Sequence, residues 1–259
     1  METLKLSPRD RVGAAAGAVL AGYRFLALAW MRAWPALAGA ASGVVLASWS
    51  GRLVFVLVAI LLWTLACGAL WRLTQAEAPP RFQLLKPGGL ELRLFACASL
   101  AAVFIGILFS LALVVLLAFA YAAASAGPGF VSSDVATWSH SATPAGARLV
   151  VGVAIVCGLS CLWAALRISL AFAATTARGR VQVLASWPLT RRRVLDQLLI
   201  RIALVSVPAL LLGLAGMGPR WLTAVVAGPI AAGLWLPLTI GASAYLYRTL
   251  NSTDRLTIP

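Results

Sequence analysis

Charged residues in this chain fall in short clusters, and the stretches between them are almost uniformly apolar. Uncharged runs cover 33–51, 53–71, 94–133, 149–166, 202–219 and 221–247. A helix needs about 20 apolar residues to cross a hydrocarbon core of about 30 Å, and each run reaches or approaches that length. No polar face recurs every 3.6 residues inside the runs, so the helices they form are apolar all round. Backbone amides in lipid must pair within their own segment, which makes the spans helices. A membrane β-barrel would instead alternate in segments of about 10 residues. The fold class is therefore all-α: a polytopic integral membrane protein with about six transmembrane helices.

The pattern divides the chain into an N-terminal segment, 1–33, a six-span domain, 34–248, and a polar tail, 249–259. Residues 13–31 are apolar but carry Arg24, with Arg32 eight residues on and so on the same helical face. A full span there would put Arg24 inside the hydrocarbon at a cost of about 2–3 kcal/mol, so this segment reads as an interfacial amphipathic helix. A seventh, tilted span is the alternative.

Span one, about 34–50, opens on Trp34-Pro35 and closes on Trp49, and Gly39 and Gly43 form a GxxxG face for close helix contact. The turn Ser50-Gly51-Arg52 joins it to span two, about 53–71. Pro79-Pro80 and Lys86-Pro87-Gly88-Gly89 break the polar loop 72–93. Span three covers about 94–124, span four 148–173, span five 196–216 and span six 221–247. Pro229 and Pro237 predict a kink in the last.

Composition then sets orientation. The chain carries 21 Lys and Arg against 7 Asp and Glu, a net charge of +14. With the N-terminus inside, 18 of the 21 basic residues fall on the inner face, and Arg52, Arg148 and Arg220 fall outside. That bias follows the positive-inside rule, so the charge reads as a topology signal rather than a nucleic-acid footprint. Both termini are expected in the cytoplasm. Arg, Ala and Leu dominate, as in bacterial genomes of high GC content, and the expected location is a bacterial inner membrane.

Residues 167–193 read RISLAFAATTARGRVQVLASWPLTRRR. Arg167, Ser169 and Leu170 close one span; Ala185, Ser186, Trp187, Leu189, Thr190 and Arg191 open the next. This pair of motifs resembles a recurring segment of YciC-like bacterial membrane proteins and of the membrane domain attached to some glycerophosphodiester phosphodiesterases. The Pro and the acidic residue usual between the motifs are replaced here by Ala173 or Ala174 and by Arg178. The resemblance implies a six-span fold more than an activity, and the soluble phosphodiesterase domain of fused relatives is not expected here.

Catalytic groups are scarce. Asp134 and His140 share the outer loop and read as solvated loop residues. Cys67, Cys97, Cys157 and Cys161 fall within spans, where thiols act as small apolar fillers. No cofactor or metal is called for. Transporters usually place an acid or His within a span, and none is expected here. Arg167 is the one arginine read as intramembrane, with a side chain long enough to extend toward the headgroups.

The basic segment 174–194 carries Arg178, Arg180, Arg191, Arg192 and Arg193 around Val181, Val183, Leu184 and Trp187, a pattern suited to the headgroup level. Together with Arg167, Arg24 and Arg32 these are the candidate lipid- or anion-binding residues. The leading function is a non-enzymatic membrane protein that organises, senses or carries lipid or a partner protein. The partners are anionic lipids, with a membrane-protein partner or a second copy of the chain, and no nucleic acid. A small transporter or flippase subunit using Arg167 is the runner-up, and a membrane-embedded enzyme the third reading.

Overall fold

The computed structural model describes residues 8–75, 86–128, 130, 132–133, 137–138, 141–184, 186–190 and 194–255. Its regular elements are all helical among these residues. They are α1 (Pro8–Ser50), α2 (Leu53–Leu73), α3 (Gly89–Ser125), α4 (Pro144–Ile168), α5 (Ala171–Arg178), α6 (Ser186–Thr190), α7 (Val194–Gly216), α8 (Arg220–Gly228), a π-helical segment (Pro229–Trp235) and α9 (Leu236–Arg255). Five stretches are long and apolar enough to cross a membrane: Leu53–Leu73, Gly89–Ser125, Pro144–Arg178, Val194–Gly216 and Val225–Asn251. The chain is an all-α, multi-pass membrane protein.

Three sequence boundaries shift. The predicted division between an interfacial helix and a span at residue 34 is a kink inside the single helix α1, at Ala33 (φ −118°, ψ 16°). Pro35 has no N–H for the carbonyl of Met31 and crowds the preceding turn, which bends the helix without ending it. The run 34–50 is not among the five stretches above; Trp34, Pro35, Ser42 and Ser48-Trp49-Ser50 dilute it. The predicted span four breaks at Ser169–Leu170, and α5 follows. Residues 249–255, expected as tail, extend α9.

Two units make up the chain: Met1–Ala98 with Ser169–Pro259, and Ser99–Ile168. In the first, Gly51 (φ 60°) supplies the left-handed turn between α1 and α2. The two helices pack closely: a Cβ on Gly43 would lie 3.0 Å from the Ala59 Cα. The first limb of α1 runs antiparallel to α9. Gly22 and Gly241 face one another there, and Trp30 reaches Gly233. The core is built largely of alanines, among them Ala29, Ala33, Ala40, Ala66, Ala69, Ala173 and Ala232. Small side chains let helix backbones approach where lipid supplies no hydrophobic drive. Thr175 of α5 is fully buried, donates to Cys97 Sγ (3.4 Å) and accepts from the Gln182 N–H (3.1 Å).

The predicted kink of the last span takes the form of the π-helical segment, in which the Leu236 N–H bonds the Ala231 carbonyl five residues back. In an α-helix the Gly233 carbonyl would accept from residue 237, which is proline and has no N–H. The Trp30 indole N–H donates to that carbonyl instead, at 2.8 Å.

The second unit holds most of α3, from Ser99 on, and α4. Between them Tyr121, Phe130 and Trp138 form an aromatic cluster, with centroids 5.2 Å and 5.4 Å from Tyr121. Its helices expose Val103, Ile107, Phe109, Val151 and Ile155, as lipid-facing surfaces do.

Candidate functional site

Helix α2 ends at Leu73, and the last carbonyls of any helix lack intrahelical partners. Thr74 Oγ1 donates to the Trp71 carbonyl (2.7 Å). Arg248 Nη2, from α9, donates to the carbonyl of Thr74 itself. Arg72, in the last turn, pairs with Glu91 in the first turn of α3, and Glu91 Oε2 also accepts the Gly88 N–H at 2.8 Å. Each charge sits where the helix dipole favours it. Glu91 was expected in the loop before span three; the helix begins five residues earlier than predicted and takes it in.

Where the end of α2 meets the first limb of α1 and α9, a cavity of about 860 Å³ opens. Its walls are Leu20, Ala21, Phe25, Leu28, Leu73 and Ala244, and its polar groups are Arg24, Thr74, Gln75, Tyr245 and Arg248. Gly17 and Gly241 line it without adding bulk. Past Arg248 a second cavity of about 390 Å³ lies against α5, lined by Trp71, Ala173, Thr176, Tyr247 and Asn251. Arg248 borders both. Two guanidinium groups over an apolar floor can hold an amphiphile with an anionic head; their planar donor forks match phosphate oxygens.

The sequence candidates scatter. Arg24 lines the larger cavity. Arg32 is exposed on α1 outside it. Arg178, exposed at the end of α5, donates to Gln182 Oε1 at 2.8 Å, and Arg180 is exposed just beyond Gly179. Arg191, Arg192 and Arg193 lie outside the described residues, as do Asp134 and His140. Arg167 does not extend outward as expected. It is 6% exposed, with its guanidinium 4.8 Å over the Trp163 ring, because four residues on one helix face bring cation and indole together.

Sequence reasoning missed Arg248 and Arg201, which entered only as charges of the inner face. The available signal was their helical spacing: Arg248 follows Ala244 by one turn, and Arg201 follows Gln197 by one turn. Among the described residues no group of three or more His, Cys, Asp or Glu could hold a metal ion, and the four cysteines are free thiols. No protein-family model, curated protein or solved structure matches the chain.

Proposed function

We propose that this chain is a non-enzymatic bacterial inner-membrane protein that binds an anionic lipid at the end of its helical bundle. The observation that carries the reading is the cavity bordered by Arg24 and Arg248 over an apolar wall. Basic residues near an anionic leaflet contribute about 1 kcal/mol each, and a floor of Phe25, Leu28 and Leu73 suits acyl chain. Arg178 and Arg180 add positive charge beside α5, which walls the second cavity.

In this reading the protein crosses the membrane six times with both termini in the cytoplasm. The tight α1–α2 hairpin supports the sixth crossing: beyond the kink, the second limb of α1 returns along the apolar helix α2 from the Gly51 turn. The arginine-lined cavity then faces the inner leaflet, where anionic lipid and the positive-inside bias coincide. The likeness of residues 167–193 to the YciC-like segment fits such a plan.

The test is native mass spectrometry of the purified protein exchanged into phosphatidylglycerol or phosphatidylcholine. The wild type should retain phosphatidylglycerol preferentially, and Arg24→Gln with Arg248→Gln should lower that preference while thermal unfolding stays cooperative. Equal retention of both lipids by the wild type, or an unchanged preference in the double variant, overturns the assignment.

A further inference from the structure

A second polar cluster lies inside the first unit, where α4 gives way to α5. The chain breaks at Ser169–Leu170, with Leu170 at φ −94°, ψ 4°. From α7, Arg201 Nη2 donates to the Ser169 carbonyl at 3.4 Å and to Ser243 Oγ of α9 at 3.2 Å. Ser169 Oγ donates to Gln197 Oε1 at 2.7 Å. Gln197 is 3% exposed, and its Nε2 is buried with no hydrogen-bond partner. Gln197 and Arg201 are one turn apart on the same face of α7.

The cluster has more donors than acceptors. A guanidinium carries five N–H donors and a side-chain amide two. Both hydrogen bonds of Arg201 leave from one nitrogen. The acceptors present are a carbonyl, a serine hydroxyl and an amide oxygen already engaged by Ser169. No carboxylate among the described residues pairs with Arg201. An uncompensated charge and an orphaned amide N–H inside a spanning helix are both costly, and an ionisable residue within a span marks a binding site more often than a structural one. A negatively charged group rich in acceptor oxygens would complete this cluster.

We infer that Gln197 and Arg201, with Ser243 opposite, form an anion site for a phosphate group, separate from the cavity of Arg24 and Arg248. Ser243 and Thr239 lie on the face of α9 opposite Gly241, Ala244, Tyr245 and Arg248 at 100° per residue. The phosphate is that of a lipid headgroup or a free phosphate ion; both offer the same oxygens to the same donors.

The experiment is isothermal titration of the full-length protein in dodecylmaltoside, at constant ionic strength, with dihexanoylphosphatidylglycerol and separately with sodium phosphate. It is run in the wild type and in the Arg24→Gln/Arg248→Gln background, so that loss of the cavity site cannot mimic loss of this one. The decisive variant is Gln197→Glu. A carboxylate four residues before Arg201 supplies the missing counter-charge from within the helix. It should raise the thermal midpoint and weaken anion binding at least tenfold. Arg201→Gln should weaken binding by a similar factor. Binding of the lipid alone identifies a headgroup, and binding of both ligands identifies phosphate as sufficient. If the Arg24→Gln/Arg248→Gln protein binds neither ligand, or if Gln197→Glu and Arg201→Gln bind as the parent does, the site does not exist.

Discussion

Replacing Glu91 with Gln tests how the two ends of the α2–α3 connection are held. Glu91 is 6% exposed, and its oxygens are divided between Arg72 and the Gly88 N–H. The amide keeps the shape and one acceptor but removes the charge, so Arg72 loses its carboxylate. Breaking a buried ion pair by removing one partner costs about 3–5 kcal/mol. The Arg72 side chain is 14% exposed at a helix end, so its guanidinium can turn toward the headgroups and recover part of that loss, leaving about 2–3 kcal/mol.

Arg72→Met strands the carboxylate instead, and the shorter Glu91 side chain reaches water less easily, so its cost should be the larger of the two. The double variant should be less destabilised than the sum of the singles by about 2 kcal/mol, because the second change removes the charge that the first one isolates. Equilibrium unfolding in mixed dodecylmaltoside and dodecyl sulfate micelles, followed by circular dichroism, measures all four corners of the cycle. Additivity within about 0.5 kcal/mol, or Glu91→Gln as stable as the wild type, would refute the argument and leave the pair a surface contact.

The remaining predictions concern packing and topology. Trp30→Phe keeps the ring but removes the indole donor to the Gly233 carbonyl, and should cost about 1–2 kcal/mol in the same unfolding assay. Gly43→Ala should destabilise by about 1–3 kcal/mol, since its Cβ would meet Ala59 backbone at 3.0 Å, whereas Gly39→Ala has 3.8 Å of room and should be neutral or stabilising. Equal effects at the two positions would mean that the GxxxG pair does not mark the contact. For orientation, a phosphatase fused after Ser132 should be active and one fused after Arg180 or at the C-terminus inactive. The reverse pattern would invert the proposed topology.

What the sequence made legible is what hydrophobic length and charge bias encode. Uncharged runs located the apolar helices within a few residues, and Gly51 located the hairpin turn. Pro229 and Pro237 announced an irregular last helix. Patterns of this kind depend on neighbours along the chain. The features it hid depend on partners far away in sequence. Pro35 reads as a helix start because proline is at ease in a first turn. It proves to be a bend because the preceding limb has α9 to pack against, and that packing outweighs the lost hydrogen bond. Pro237 announces a missing N–H, but nothing near it says that Trp30, more than 200 residues earlier, answers the Gly233 carbonyl.

Arginine shows the same limit most sharply. Nineteen of them carry the topology signal, and as a population they are interchangeable. Their surroundings are not. Arg24 and Arg248 border a cavity, Arg167 stacks on Trp163, Arg72 pairs with Glu91, and Arg201 caps a broken helix among serine and glutamine. A charge count sums these positions with equal weight, whereas the energy of each depends on whether a carboxylate, a π face, water or a ligand oxygen meets the guanidinium. Arg201, inside an apolar helix, meets only a carbonyl and a hydroxyl among the described residues, and the anion proposed above is the group that would balance its charge.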